Sequence, residues 1–105
     1  MEATENTKPV YISGKITGLT EEEFTKNFEA AEMHLKSQGH QTMNPVTLCA
    51  EIPKDSSWEE YMALCVRGLM NCKEIYMLRN WSDSKGARVE RAIAFELGLP
   101  VNYQS

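Results

Sequence analysis

Short apolar runs alternate along the chain with longer segments whose apolar residues recur every three or four positions. The first run, PVYISG at residues 9–14, is rich in β-branched residues and ends at a glycine, which predicts a buried strand. Similar runs at residues 40–45, 74–78 and 100–103 predict three more strands, of which the run at 40–45 has the weakest pattern. The pattern therefore predicts four strands separated by longer connections.

Two of the connections begin with the same helix-capping pattern. Thr20 is followed three residues later by Glu23, and Ser57 by Glu60, so each pair can satisfy free amide groups at a helix start. The apolar positions that follow share one face in each helix: Phe24, Phe28, Ala31 and Leu35 in the first, and Tyr61, Cys65 and Leu69 in the second. We expect both faces to pack against the sheet, and the first helix to end at Gly39.

A third helix is predicted over residues 87–97, ARVERAIAFEL, with Gly98 at its end. Its core-facing stripe is expected to consist of Val89, Ile93 and Leu97. Glu90 is expected to lie off the centre of that stripe, beside the small residues Ala87 and Ala94, which leave space above it.

The order of these elements predicts an α/β domain in which helices cover both faces of a small parallel sheet of four to five strands. Ligands of such folds bind outside the carboxyl ends of the strands. The loops expected to carry a site are therefore residues 14–20, 44–57 and 79–86, and residues 46–57 form the longest segment without periodicity. Trp58 and Trp81 flank these loops and could either stack on a base or cover the core.

Composition limits the possible class of protein. With 105 residues, 42% of them hydrophobic and 25% charged, the chain fits one globular domain, residues 9–105, after a flexible polar tail at residues 1–8. The net charge of −4 argues against a nucleic-acid polymer or an anionic membrane as partner. Three cysteines without CxxC spacing, and no apolar segment typical of a signal peptide or membrane span, indicate a reduced cytoplasmic protein. No metal-ligand spacing is present, so neither a metal nor an organic cofactor is expected.

The first strand leads into SGKITG, residues 13–18. A phosphate-binding Walker A loop is excluded, because Pro9 and Ile16 occupy the positions that require a glycine and a hydroxyl residue. Glycines at 14 and 18 and hydroxyls on Ser13 and Thr17 still allow a ligand to approach the backbone closely. The alternative is a turn that needs its glycines only for their dihedral angles.

The segment SDSKGARVE, residues 82–90, carries the most specific chemistry. Ser84 and Gly86 lie where the third helix is expected to begin, so free amide groups there favour an anion such as phosphate. Glu90 follows about one turn later, and the positive end of the helix dipole should keep its carboxylate ionised, as a nucleophile requires. The alternative is a solvated glutamate that only interacts with the dipole.

Several motifs along residues 9–103 resemble the nucleoside 2-deoxyribosyltransferase-like superfamily, and in particular its branch of short, mostly uncharacterised bacterial and phage domains related to the 2′-deoxynucleoside 5′-phosphate N-hydrolases. They are YISGKITG, the NP that follows the second strand, WEEYM, LMNCKEIYML, WSDSKGARVE and AFELGLPV. The S-x-G-x-x-x-E arrangement from Ser84 to Glu90, placed after a hydrophobic strand, is the most specific of them.

The resemblance implies a flavodoxin-like three-layer fold and an enzyme that cleaves or transfers the N-glycosidic bond of a nucleotide or nucleoside. It implies that Glu90 attacks the anomeric carbon and that Ser84 and Gly86 hold a 5′-phosphate, which favours a nucleotide substrate. It also places Tyr11 and the residue 13–18 loop, with Ile16, in the same pocket. Relatives commonly form homo-oligomers, so one is expected here.

Two positions depart from the pattern of the resembled family. Aspartates that help to bind the sugar and to manage the proton of the leaving base correspond here to Cys65 and Lys73. Asp83, Glu51 and Asp55 lie on loops from which a proton could be supplied instead. These departures favour one alternative to an enzyme, a nucleotide-binding module that has lost turnover. A protein interaction domain without a ligand is the other alternative.

Overall fold

The fold follows the predicted alternation of strands and helices. The computed structural model describes residues 8–105, so the predicted tail lies outside the described residues apart from Lys8. The strands are β1 (Val10–Ser13), β2 (Thr42–Met43), β3 (Glu74–Met77) and β4 (Val101–Tyr103). The helices are α1 (Glu21–Ser37), α2 (Pro45–Leu48), α3 (Trp58–Leu69) and α4 (Lys85–Glu96), and a single 3₁₀ turn spans Trp81–Asp83.

All four strands pair in parallel, in the spatial order β2-β1-β3-β4. Helix α1 packs on one face of this sheet, and α3 and α4 pack on the other. The predicted α/β class with a small parallel sheet is thus confirmed, and the arrangement is compatible with a flavodoxin-like three-layer fold. Strand order reverses between β1 and β3, so the carboxyl ends of these two strands form the switch point where ligands bind in such sheets.

Side chains of β1 alternate between the two faces. Val10 and Ile12 join the core under α1, whereas Tyr11 lies among the buried residues of α3 and α4. Ser13 is two residues beyond Tyr11 and therefore points to the same side, where it contacts α4. The predicted apolar faces of α1 and α3 are confirmed by burial of Phe28, Ala31, Leu35, Cys65 and Leu69.

Helix α2 falls within a stretch that the sequence predicted to be a strand end and a loop. Asn44 caps α2 by accepting a hydrogen bond from the amide of Val46, and Pro45 occupies the first helical position. The Asn-Pro pair therefore starts a helix as well as ending a strand. Within residues 8–105 no helix is both long and apolar enough to cross a bilayer.

The stripe predicted for the third helix was wrong. Leu97 is 46% exposed, and Ile93 packs only partly against the core. The buried positions of α4 are Ala87, Glu90 and Ala94. The two alanines let α4 lie close to the sheet. The carboxyl group of Glu90 can be buried there because polar partners contact it. Such partners cannot be predicted from the spacing of apolar residues.

Gly14 follows β1 directly and lies against Leu78, the residue that follows β3. The amide of Leu78 donates to the carbonyl of Ser13 at 2.8 Å, and a Cβ atom added to Gly14 would lie 2.5 Å from Cδ1 of Leu78. Only glycine fits this approach. Gly14 is not among the glycines with a positive φ, so the requirement for glycine here is steric and not the dihedral requirement that the sequence offered as an alternative.

Replacing Gly14 by alanine is expected to lower the free energy of unfolding by about 1–3 kcal/mol, because the new methyl group overlaps Leu78. The same change in a Leu78→Ala background should cost less, since Cγ and Cδ1 of Leu78 are gone and only its Cβ, 2.8 Å from the added atom, still overlaps. Urea denaturation of the four proteins measures both values. An equal cost in the two backgrounds would contradict the steric explanation.

Candidate active site

The carboxyl group of Glu90 lies under the loops at the switch point and is held by two hydroxyl groups of β1. The Tyr11 hydroxyl donates to Oε2 at 2.8 Å, and the Ser13 hydroxyl donates to Oε1 at 2.6 Å. Glu90 is 5% exposed, and both donors are fully buried. Since residues i and i+2 of a strand share a face, β1 presents both hydroxyls to one residue of α4.

Two opposing effects act on the pKa of Glu90. Burial disfavours the charged form and raises the pKa, whereas the hydrogen bonds from Ser13 and Tyr11 lower it, and burial prevails. The sequence had predicted only the stabilising effect of the helix start on the ionised form. That prediction missed the larger influence, because the depth of a residue cannot be read from its place in a helix.

The phenol of Tyr11 stays protonated next to this carboxyl group. Burial and the negative charge of Glu90 raise its pKa well above the usual value, so it remains a donor over the physiological pH range. Two hydroxyl donors use two of the roughly four lone-pair positions of a carboxylate. Glu90 therefore keeps acceptor and nucleophilic capacity on the side that faces the loops.

A cavity of about 390 Å³ opens above Glu90. Its lining residues come from the loop after β1, from α2, from α3 and from the start of α4: Gly14, Ile16, Thr17, Pro45, Trp58, Tyr61, Met62, Asp83, Ser84, Lys85, Gly86, Ala87, Arg88 and Glu90. This volume lies within the range of small-molecule sites. The cavity occupies the position that the strand order predicts for a ligand.

The first turn of α4 forms one wall of the cavity. Ser84 is its N-cap and accepts a hydrogen bond from the amide of Ala87 at 3.1 Å. The amides of Lys85 and Gly86, at the first two helical positions, have no carbonyl partner within the helix. A Cβ atom on Gly86 would lie 3.1 Å from Sδ of Met62, so glycine lets this turn lie close to α3. The sequence-based prediction of an anion at this wall depends on these free amides.

The structure brings most of the predicted site residues together. Six of them line the cavity: Gly14, Ile16, Thr17, Ser84, Gly86 and Glu90. Tyr11 and Ser13 lie beneath Glu90 and orient it without lining the cavity themselves. Gly18 is outside the lining, in a turn where its φ of 93° favours glycine.

Several lining residues were not assigned to a site from the sequence. Tyr61 and Met62 belong to α3, whose apolar pattern suggested core packing only. Lys85 and Arg88 belong to the segment SDSKGARVE, in which only Ser84, Gly86 and Glu90 were assigned to the site. Trp58 does border the cavity. Trp81 instead packs against Tyr103, with 5.9 Å between ring centroids.

Neither of the two departures from the resembled family lines the cavity, although Cys65 lies next to Tyr11 beneath it. Cys65 is fully buried, and its sulfur is 3.6 Å from that of Cys49; burial raises the pKa of both thiols, which keeps them neutral. The amide of Lys73 donates to the carbonyl of Pro9, at the amino end of the sheet. The carboxylates that line the cavity are Asp83 and Glu90.

Within the described part of the chain no group of three or more His, Cys, Asp or Glu residues could hold a metal ion.

Comparison with known proteins identifies a family but no activity. The family described as Domain of unknown function (DUF4406) matches residues 8–103, nearly the whole chain, so this protein belongs to that family. No curated protein and no solved structure matches the chain. The chemistry of the cavity must therefore be argued from its residues.

Replacing Glu90 by glutamine is expected to stabilise the protein at mildly alkaline pH, by roughly a few degrees in Tm. The raised pKa means that Glu90 contributes stability fully below its unfolded-state pKa and loses that contribution as pH rises through the folded-state pKa. Glutamine does not titrate. In thermal unfolding, the Tm of Glu90→Gln should therefore exceed that of the unmodified protein by a margin that grows as the pH rises.

Glu23 is the matched control with the opposite sign. Hydrogen bonds from Thr20 lower its pKa, so its contribution is present above the unfolded-state pKa and is lost as pH falls. Glu23→Gln should be less stable than the unmodified protein near neutral pH, with a gap that closes in acid. If Glu90→Gln, like Glu23→Gln, were instead less stable than the unmodified protein near neutral pH, the fold would favour the ionised form of Glu90, and the raised pKa would be contradicted.

Proposed function

We propose that this DUF4406 domain is a nucleotide N-glycosidase or deoxyribosyltransferase that cleaves the bond between base and sugar of a deoxynucleoside 5′-monophosphate. The observation that carries the proposal is the buried carboxyl group of Glu90, oriented by Tyr11 and Ser13 at the floor of the cavity. A glutamate that only increased solubility or interacted with a helix dipole would not need to be buried and hydrogen-bonded by two hydroxyl groups. The likeness to nucleoside 2-deoxyribosyltransferases supports the same assignment.

Glu90 acts as the nucleophile. Its ionised carboxylate attacks C1′ as the base departs through a transition state with oxocarbenium character, and a covalent glycosyl ester forms. Water, or the nitrogen of an acceptor base, then attacks C1′ and releases the carboxylate. The hydroxyls of Tyr11 and Ser13 fix the carboxylate and stabilise its charge when it is free, which matters most where burial opposes ionisation.

The phosphate of the substrate lies at the first turn of α4. The amides at the start of that helix and the hydroxyl of Ser84 offer donors, and Gly14 and Thr17 approach from the opposite loop. Phosphate and nucleophile are then fixed by one helix, since Glu90 follows Ser84 by six residues. This arrangement favours a nucleotide over a free nucleoside.

Asp83 is the proposed source of the proton that the leaving base requires. It is the second carboxylate lining the cavity, whereas Glu51 and Asp55, which the sequence also suggested, do not line it. A carboxylate at this place can relay a proton from water to a ring nitrogen of the base as the glycosidic bond breaks. It recovers a proton from the attacking water or acceptor in the second step.

A nucleotide-binding module without turnover is the second candidate. The buried thiol of Cys65 favours it, because no carboxylate stands where the resembled enzymes have one. Such a module would keep the anion-binding start of α4 but release no base. A domain for protein interaction alone fits less well, since it gives no reason for the oriented carboxyl group above β1.

The proposal places the protein in the cytoplasm and in a homo-oligomer. The homo-oligomer is proposed from the resemblance to the nucleoside 2-deoxyribosyltransferase-like superfamily, whose members commonly associate. Light scattering at micromolar concentration tests the assembly, and a monomer would count against it.

Incubation with a panel of deoxynucleosides and their 5′-monophosphates should release free base from at least one monophosphate, as measured by chromatography. Glu90→Gln should lower the rate by about a thousandfold or more, because it removes the nucleophile, while nucleotide binding is kept. Unchanged turnover in this variant would remove Glu90 from the mechanism.

The same panel separates the alternatives. Nucleotide binding without any base release would favour the binding module. A thermal unfolding scan in which no nucleotide raises the Tm would favour the interaction domain, because a ligand that binds only the folded state must stabilise it. Glu96→Gln, an exposed position on the same helix outside the cavity, controls for the loss of one negative charge.

A further inference from the structure

Lys85 and Trp58 form a contact across the mouth of the cavity. Each is the first residue of a helix, Lys85 in α4 and Trp58 in α3, and both line the cavity. The ammonium nitrogen of Lys85 lies 4.3 Å from the centroid of the Trp58 ring. The contact therefore joins the first residues of two helices that both line the cavity.

No residue of the described part of the chain forms an ion pair with Lys85. Within residues 8–105 the two ion pairs within 4.0 Å are Lys26–Glu22 and Lys36–Glu32, both on α1. Arg88, the other cation lining the cavity, donates to the carbonyl of Ser82 at 2.6 Å and is held by that contact. Of these two cations, Arg88 is held by a hydrogen bond, whereas the contact described for Lys85 is with the face of the Trp58 ring.

We propose that Lys85 is a phosphate-binding arm whose resting place is the ring of Trp58. When a phosphate monoester enters the cavity, the ammonium group leaves the indole and binds the phosphoryl oxygens, and the freed ring then faces the ligand. The inference rests on the anion position of the proposed function but not on cleavage of the glycosidic bond. Its consequence is selection of nucleoside monophosphates over nucleosides by a residue absent from the predicted site.

Competition between the two contacts sets the direction of this exchange. A cation over an exposed aromatic ring is held weakly, and Trp58 is 36% exposed. A charge-assisted hydrogen bond from an ammonium to a doubly charged phosphate is stronger, and the helix start adds attraction on the same side. Asp83 also lines the cavity, and its charge would repel a phosphate that lacked a nearby cation.

The chain offers a direct optical readout, because it has two tryptophans. In a Trp81→Phe background, fluorescence reports on Trp58 alone. Titration with inorganic phosphate and with the four deoxynucleoside 5′-monophosphates should change this emission. Lys85→Met in the same background should resemble the phosphate-bound emission from the start and should no longer respond.

Affinity provides the second measurement. Lys85→Met is expected to weaken binding of the monophosphates about tenfold or more and to leave binding of the nucleosides unchanged, whereas Lys85→Arg should retain most of the affinity. Lys54→Met is the matched control, since it removes the same charge at a neighbouring cavity and should have no effect. Lys85 is exposed, so its variants are expected to fold.

Each outcome is informative independently of catalysis. A Trp58 signal that responds equally in Lys85→Met, or equal loss of affinity in Lys54→Met, would overturn the inference even if base release were found. Failure of every monophosphate and of inorganic phosphate to bind would overturn it as well. Lys85-dependent binding without any base release would support it and would count against the enzyme.

Discussion

The buried carboxyl group of Glu90 is compatible with the fold because β1 brings two hydroxyl groups to it. A carboxyl group in an apolar layer without donors would cost several kcal/mol, in either protonation state, and would open the contact between α4 and the sheet. The donors at 2.8 and 2.6 Å reduce this cost and fix the orientation of both oxygens. The position of α4, the depth of the cavity and the chemistry proposed for it all follow from this contact.

The same geometry explains why the cavity forms at one end of the sheet. Gly14 lets the loop after β1 meet Leu78 at the end of β3, and the start of α4 packs against α3 through Gly86. These close approaches leave an opening between the two helix starts, lined by donors and by Lys85. Lys73 lies at the amino end of the sheet, so its departure from the resembled family does not alter the cavity.

The succession of strands and helices along the chain, the helix caps and most of the core could be predicted from the sequence because they depend on local patterns. The capping boxes at Thr20 and Ser57 are formed as predicted. The buried face of α4 could not be predicted, because an apolar stripe is defined by hydrophobic residues and this face carries Glu90 between two alanines. The partner of that acid lies 79 residues away in Tyr11, and no local pattern encodes a contact over such a separation. The sequence, by contrast, did single out Gly14 as a candidate residue. The physical cause, its close approach to Leu78, could be identified only from the structure.

The alternation of side chains along β1 has a consequence for how the chain reaches this fold. Tyr11 and Ser13 meet α4, and Val10 and Ile12 meet α1. Sliding β1 by a single residue against its neighbours would turn the aliphatic pair toward the acid and bury the hydroxyls under α1. Misaligned pairing is thereby penalised twice, so the hydrogen bonds to Glu90 also help the folding chain to reject the wrong alignment.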